Sequence, residues 1–198
     1  MLKIEKILIG TNNKGKYKEI CDLLPKKIKK YSPKKLYIQS PAETGKSFKE
    51  NSFIKACYFS SKTNLICLSD DSGLEINSLQ GKPGIYSARW GGRKKNFNLA
   101  IKKVLRKINN IPKNWNKKNK ARFVCSMTLF YPDGRSYTSE GMVRGKISPI
   151  KKGKNGFGYD PIFIPEGYKK TFGEMSPKLK MSIDHRFKAF KKIKKYFS

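Results

Sequence analysis

Apolar and polar residues repeat along this chain with two periods, which predict strands and helices in turn. Residues 3–10 form an apolar run with interleaved charges and predict a strand, and residues 16–24 predict a helix after a short polar loop. Ser47 and Glu50 have the spacing of a capping box, which predicts a helix to about residue 61. The apolar run at 65–69 predicts a buried strand.

The second half of the chain continues the alternation. A stripe at helical spacing predicts a core-facing helix; it consists of Phe97, Ala100, Ile101, Val104, Leu105 and Ile108. Residues 121–131 alternate with period two, and Pro132–Gly134 predicts a turn into a second strand at 136–144. A short strand around 161–164 and a helix from about 183 to 197 follow. The pattern predicts the α/β class, with a mixed sheet, packed helices and one domain over residues 1–198.

Two adjacent carboxylates follow the apolar run at 65–69. Asp70 and Asp71 are placed at the end of a strand, and Ser72 and Gly73 are expected to turn the chain directly afterwards. Ligands bind at the carboxyl ends of strands in open α/β sheets, and paired carboxylates suit Mg²⁺. A turn in which Asp and Gly supply only backbone geometry is an equal alternative.

Composition adds a strong positive charge. The 198 residues include 45 Lys and Arg against 14 Asp and Glu, a net charge of +31. Such a balance suggests nucleic-acid binding, but the lysines occur along nearly the whole chain and predict a solvated coat on many elements. A weaker consequence of the positive charge is that it attracts small polyanionic substrates.

The remaining composition narrows the class of protein further. No apolar stretch reaches the roughly 18 residues that span a bilayer, and the N-terminal residues lack a signal-peptide core, so we expect cytoplasmic residence. The four cysteines are widely separated and His185 is the only histidine, so we expect buried free thiols and no zinc site.

Three further segments have residues suited to chemistry. The polar loop GTNNKGK at 10–16 precedes a helix, where backbone amides attract phosphate, although a plain connection is equally compatible. The loop GKNGFGYDP at 153–161 offers Phe157 for stacking a base, or as an anchor in the core. The segment KLKMSIDHR at 178–186 is expected at the start of the final helix. Its cations and its histidine can donate hydrogen bonds to a ligand carbonyl; alternatively, the histidine has a structural role.

Together and in this order, these segments resemble the inosine/xanthosine triphosphate pyrophosphatases, which hydrolyse non-standard purine nucleoside triphosphates to the monophosphate and pyrophosphate. The resemblance covers nearly the whole chain. The matching motifs are TNNKGK at 11–16, ETGKSFKENSFIKA at 43–56, DDSGL at 70–74 with GKPGIYSARW at 81–90, GFGYDPIF at 156–163, and Lys180 with His185 and Arg186.

The resemblance implies a mixed, elongated sheet flanked by helices in an ITPase-like α/β/α fold, Mg²⁺ as cofactor and a homodimer. Glu43 and Asp71, helped by Asp70, would hold the metal, and Asp71 would accept the proton of the attacking water with Asp70 and Lys16 beside it. Contacts to the triphosphate are implied for Thr11, Asn13 and Lys16, while Lys55 would add positive charge and Ser72 would also touch the substrate. Phe157 would stack on the purine, and the pocket around the base would comprise Gly158, Tyr159, Asp160, Lys180, His185 and Arg186.

This chain departs from the family pattern beside the implied base pocket. Asp184 stands where many members have Ser, and a carboxylate there can pair with Arg186 and reorient it. Donors that meet a 6-keto oxygen would reject adenine but would not by themselves exclude guanine. Two alternatives stay open: a basic nucleic-acid-binding protein, and a Maf-like pyrophosphatase for other modified nucleotides, against which the GFGYDP loop and the His185–Arg186 pair argue.

Overall fold

A six-stranded sheet forms the framework of the chain. The computed structural model describes residues 4–197, and the strand order is β2-β1-β3-β4-β5-β6. The strands are β1 Lys6–Ile9, β2 Lys29–Tyr31, β3 Cys67–Ile76, β4 Lys120–Phe130, β5 Ser136–Ile147 and β6 Phe163–Pro165. Strand β1 is parallel to β2 and β3, and β5 is antiparallel to β6, which confirms the predicted mixed sheet. Lys3, where the first strand is predicted to begin, lies outside the described residues.

Helices follow the strands much as the apolar periodicity predicts. They are α1 Lys14–Leu23, α2 Phe48–Thr63, α3 Phe97–Asn109, α4 Trp115–Lys118, α5 Pro177–Ile183 and α6 His185–Ile193. Helix α1 begins two residues earlier than predicted, because the side chain of Asn13 caps it by accepting from the Lys16 amide. In α2, Ser47 accepts from the Glu50 amide as predicted, while the Glu50 carboxylate accepts from the amide of Lys46. No helix in this part of the chain is long and apolar enough to cross a membrane.

The described residues fall into two compact units. The first lies within Met1–Asp71, Cys125–Gly141 and Arg186–Ser198, and the second within Ser72–Val124 and Met142–His185. Each has its own apolar core. That of the first includes Ile7, Ile9, Ile20, Met127, Leu129 and Phe190, and that of the second includes Leu74, Ile76, Val104, Ile108, Phe163 and Phe172. A single domain over the whole chain stays a prediction.

The predicted turn at the acidic pair is wrong. Asp70 and Asp71 lie in the middle of β3, which continues to Ile76. The apolar residues Leu74 and Ile76 keep the strand alternation after the acids, and both are fully buried in the core of the second unit. Tertiary packing thus overrides the local turn preference of Ser72 and Gly73.

The C-terminal prediction also needs correction. The expected helix from about 183 to 197 consists of α6 and a 3₁₀ helix at Lys194–Phe197, while the residues before it form the separate helix α5. Asp184 caps the end of α5, so the segment at 178–186 is mostly α5 instead of the start of the final helix. The sequence reasoning missed β2, which lies within a lysine-rich stretch.

Two predictions, that the lysines form a solvated coat and that the thiols are buried, are confirmed only in part. Lys55, Lys118 and Lys180 are buried, each beside an acceptor or a carboxylate. Of the four free cysteines, Cys67 and Cys125 are buried, whereas the other two are half-buried. Burial of a lysine requires a partner, so these three lysines have a specific role in the fold or the site.

Candidate active site

The loop between β1 and α1 brings a lysine to the acidic pair. Lys16 Nζ lies 3.3 Å from Asp70 Oδ2 and 3.9 Å from Asp71 Oδ1. The loop itself is held by its own side chains, because buried Thr11 accepts through Oγ1 from the amide of Asn13 at 3.2 Å. This arrangement places a cation and the first turn of α1 beside the two carboxylates.

Helix α2 supplies a second cation, the buried Lys55, to the same carboxylates. Lys55 Nζ lies 2.5 Å from Glu43 Oε1 and 3.4 Å from Asp71 Oδ1. Burial disfavours the charged lysine, but Asp71 and Glu43 raise the pKa of Lys55 above its ordinary value. Lys55 therefore stays protonated and joins Glu43 to the acidic pair.

Arg186 is bound to Asp70 inside the first unit. Its Nε and Nη2 atoms donate to Asp70 Oδ2 at 3.2 and 3.1 Å, and Nη1 pairs with Glu19. Sequence reasoning placed Arg186 at the purine, and that contact stays a prediction. It missed Glu19, although the spacing of three residues from Lys16 puts both side chains on one face of α1.

The two adjacent aspartates have opposite pKa shifts. Asp70 is fully buried, which raises its pKa, but Lys16, Arg186 and Lys55 outweigh burial and hold the pKa well below its usual range. At Asp71, burial together with Glu43 and Asp70 outweighs Lys55 and Lys16, so its pKa is raised. Neighbouring carboxylates with diverging pKa values are typical of a divided acid–base role.

The donor chemistry of this cluster fits a hard divalent cation. Asp70 Oδ1 and Asp71 Oδ2 are buried oxygens with no hydrogen-bond partner within residues 4–197. In the same range, no group of three or more His, Cys, Asp and Glu residues is arranged to hold a metal on its own. Mg²⁺ commonly uses one or two carboxylates together with substrate phosphates, so the unmatched oxygens suit it.

In the second unit, Asp160 organises the Gly-rich loop. Its Oδ2 accepts from the Phe157 amide and from Lys180 Nζ, both at 2.8 Å. Lys180 Nζ also lies 5.1 Å from the centroid of the half-buried Phe157 ring. Gly156 has φ +72°, and a Cβ there would lie 2.0 Å from Asp160 Oδ2, so only glycine fits. Asp160 thus holds the loop in a fixed conformation that presents the Phe157 ring.

The other residues predicted to surround the purine are less exposed than Phe157 or are part of the loop backbone. The buried Tyr159 hydroxyl donates to the Ser87 carbonyl at 2.9 Å, and Gly158 has the left-handed φ of +67°. His185 is buried and stacks on Phe123 with ring centroids 4.7 Å apart. Ser72 is half-buried in β3 directly after Asp71. The structure therefore collects the predicted residues in two groups, one in each unit.

The chain is similar to named bacterial proteins along nearly its whole length. It is 39% identical over 188 residues to the dITP/XTP pyrophosphatase of Rhodospirillum centenum, covering 94% of this chain and 92% of that protein. It is 38% identical over 198 residues to the dITP/XTP pyrophosphatase of Bacillus cereus, covering 98% and 95% of the two chains.

Solved structures give the same result. The HAM1 protein of Coxiella burnetii matches with a TM-score of 0.86 at 32% identity, over 97% of this chain and 98% of that one. The Ham1 protein of Staphylococcus aureus matches with a TM-score of 0.83 at 34% identity, over 96% and 97%. The model of the Ham1 family matches residues 7–196, and the chain therefore belongs to the Ham1 family.

Proposed function

We propose that this protein hydrolyses non-standard purine nucleoside triphosphates, namely ITP, dITP, XTP and dXTP, to the monophosphate and pyrophosphate. The names of its relatives from Rhodospirillum centenum and Bacillus cereus support the reaction. The observation that carries it is the buried pair Asp70–Asp71, whose pKa values shift in opposite directions beside two lysines. Such a pair suits the hydrolysis of a highly charged anhydride.

The triphosphate is assigned to the first unit and to the adjoining Ser72. Lys16 and Lys55 neutralise charge on the phosphate oxygens, and charge neutralisation is the main contribution of proteins to phosphoryl transfer. Thr11 and Asn13 shape the loop before α1, whose first amides also attract phosphate. These groups orient the bond between the α- and β-phosphates for attack by water.

Asp71 takes the proton from the attacking water. It lies beside Lys16 and Lys55 in the same cluster, and a carboxylate next to a metal-activated water can accept its proton. Asp70 has the complementary role, because Arg186 and Lys16 keep it ionised and hold its orientation. As the water oxygen bonds to phosphorus, the anhydride bond breaks and pyrophosphate leaves with the electron pair.

Mg²⁺ is the proposed cofactor, held by Glu43 and Asp71 with help from Asp70. The support is the set of carboxylate oxygens, including the buried Asp70 Oδ1 and Asp71 Oδ2 that lack a partner in the described residues. A bound Mg²⁺ supplies positive charge for the developing negative charge and lowers the pKa of water. Lys55 Nζ binds Glu43 Oε1 and lies 3.4 Å from Asp71 Oδ1, so it holds the Glu43 carboxylate beside Asp71.

The purine is assigned to the second unit and to Arg186. Phe157 offers a ring for stacking, and Asp160 fixes the amide of Phe157 and the ammonium of Lys180 around it. Donors from Lys180, His185 and Arg186 toward a 6-keto oxygen would select hypoxanthine and xanthine over adenine, because adenine presents a donor there. Gly158 and Tyr159 maintain the loop.

Two finer properties belong to the same proposal. We expect a homodimer, as the family resemblance implies, and action in the cytoplasm. Sedimentation of the purified protein over a range of salt concentrations tests the first, since the charge of +31 opposes association at low salt.

The decisive test is pyrophosphate release from ITP, dITP, XTP, GTP and ATP with Mg²⁺. Selective release from the inosine and xanthosine nucleotides is expected. Activity on GTP as well would leave the reaction in place but contradict the proposed base selection. No activity on any of the five, together with salt-dependent binding of nucleic acid, would overturn the proposal in favour of a nucleic-acid-binding protein.

A further inference from the structure

Asn51 links helix α2 to the segment that carries Glu43. The side chain is fully buried, and its Oδ1 accepts from the Gly45 amide at 2.9 Å. Gly45 follows Glu43 by two residues, so this bond holds the backbone close to the carboxylate. The Gly45 donor also identifies which end of the Asn51 amide is the oxygen.

The segment lies directly against the first turns of α2 at this point. A Cβ on Gly45 would lie 2.6 Å from Glu50 Cβ, 2.8 Å from Asn51 Oδ1 and 3.0 Å from the Asn51 nitrogen. No side chain fits there without displacing the segment from the helix. The close approach therefore depends on glycine at 45 and on the Asn51 acceptor together.

Helix α2 contacts the segment at a second point through Lys55. Lys55 follows Asn51 by four residues and therefore lies on the same helix face, where its Nζ binds Glu43 Oε1 at 2.5 Å. One side chain thus holds the backbone and the other the carboxylate. A carboxylate held at both positions is preorganised, whichever cation it faces.

The Asn51 amide is poorly explained by stability alone. Its Nδ2 is buried and has no hydrogen-bond partner in the described part of the chain. An unmatched buried donor costs free energy, which the bond from the Gly45 amide to Oδ1 offsets only in part. Local violations of this kind are expected where a functional site requires them.

We propose that Asn51 is a positioning residue that holds the Glu43 segment on α2 and so presets Glu43 for the divalent cation. The inference rests on the proposed function, because it takes Glu43 as a metal ligand. In this role Asn51 acts through the position of Glu43 and not on the reacting atoms. Its effect is on metal affinity through the position of a ligand.

The experiment compares the parent with Asn51→Ala in two measurements. Exchange of the Gly45 amide in ¹⁵N-labelled protein reports the hydrogen bond without any metal, and titration with Mn²⁺ reports cation affinity without turnover. We expect Gly45 to exchange at least about tenfold faster and the Kd for Mn²⁺ to rise about 10- to 100-fold, the usual effect of removing a residue that orients a ligand.

Ser60→Ala is the matched control. Ser60 is also buried in α2 and donates to the Leu65 carbonyl at 2.7 Å, so its loss removes one hydrogen bond to a loop far from Glu43 along the helix. We expect it to leave Gly45 exchange and Mn²⁺ affinity at the parent values. It therefore separates positioning from general loosening of α2.

Gly45→Ala provides a second route to the same link. We expect it to weaken Mn²⁺ binding as Asn51→Ala does. The double variant should bind Mn²⁺ no more weakly than the single variant with the lower affinity, because both substitutions remove the same contact. Additive losses would contradict the shared link. Mn²⁺ affinity in Asn51→Ala equal to that in Ser60→Ala, or unchanged Gly45 exchange, would overturn the inference. If the parent binds no Mn²⁺, the proposed cofactor fails, and the Gly45 exchange rate alone decides whether Asn51 holds the segment.

Discussion

The two units hold their site residues by different forces. In the first unit, buried and half-buried ions restrain one another: Lys16 and Arg186 share Asp70, and Lys55 joins Glu43 to Asp71. In the second unit, Asp160 and Lys180 form one buried pair, and aromatic packing and glycine conformations hold the other residues in place. Charge pairing therefore restrains the residues of the first unit, whereas packing and backbone conformation restrain those of the second.

This difference indicates how each unit should respond to substitution. Removing an ion from the first unit leaves another ion buried without its partner, so stability and chemistry change together. Removing the Phe157 ring from the second unit alters recognition while Asp160 and Lys180 stay paired. The following predictions test that separation.

Asp71→Asn should have the largest effect. The amide cannot accept the proton of water, and loss of a general base lowers kcat by about 10²- to 10⁴-fold. Thermal stability should change as well, because the amide no longer pairs with the buried ammonium of Lys55. Pyrophosphate release and thermal unfolding measure the two effects. Asp133→Asn, in an exposed turn, is the control and should retain full activity.

Arg186→Met should destabilise the first unit strongly. Asp70 would remain buried without its guanidinium partner, and breaking a buried pair in this way costs about 3–5 kcal/mol. Urea unfolding followed by fluorescence measures the free energy. Arg135→Met, which breaks an exposed pair with Asp133, should change stability far less. Equal stability of the two variants would contradict the restraint by charge.

The same pair should make stability depend on pH. Because Asp70 has a lowered pKa when folded, its contribution is present above the ordinary aspartate value of 3.8 and is lost as the pH falls below it. The unfolding free energy of the parent should therefore decline in acid. Arg186→Met should show a weaker decline, since the folded pKa of Asp70 moves back up. An unchanged slope would show that other groups dominate.

Phe157→Ala should affect recognition in the second unit. Stacking of a base on an aromatic side chain contributes about 1–3 kcal/mol, which corresponds to roughly 5- to 150-fold in kcat/KM for ITP. Stability should change little, because the ring is half-buried. Phe53→Ala, an exposed aromatic in the first unit, is the control. A loss of kcat alone, with unchanged KM, would argue against stacking.

Gly156→Ala should produce the smallest of these effects. The added Cβ meets Asp160 Oδ2 at φ +72°, whereas Gly167, at φ +83°, has no atom within 4 Å. Both alanines bear the left-handed strain of about 1–2 kcal/mol, so the comparison isolates the steric contact. We expect KM for ITP to rise several-fold in Gly156→Ala only. Equal KM values in both variants would show that the Asp160 contact is not needed.

Much of the fold could be predicted from local patterns. The stripe predicted at 97–108 is helix α3, and the alternation at 121–131 is strand β4, because a helix or strand that buries one face shows the period of that face in its sequence. The motif at 47–50 likewise marks the start of α2. These elements carry their signal within a dozen residues.

The sequence by itself determined the periodic elements, the mixed sheet and the motifs from which the family and its candidate residues could be named. Only the tertiary structure decided that β3 continues through Asp70 and Asp71, that Arg186 binds Asp70 and Glu19, and that Asn51 holds Gly45. Arg186 and Asp70 are 116 residues apart in the chain. The physical reason is that local propensity acts over a few residues, whereas burial, charge pairing and pKa depend on neighbours that the folded chain brings together from distant positions.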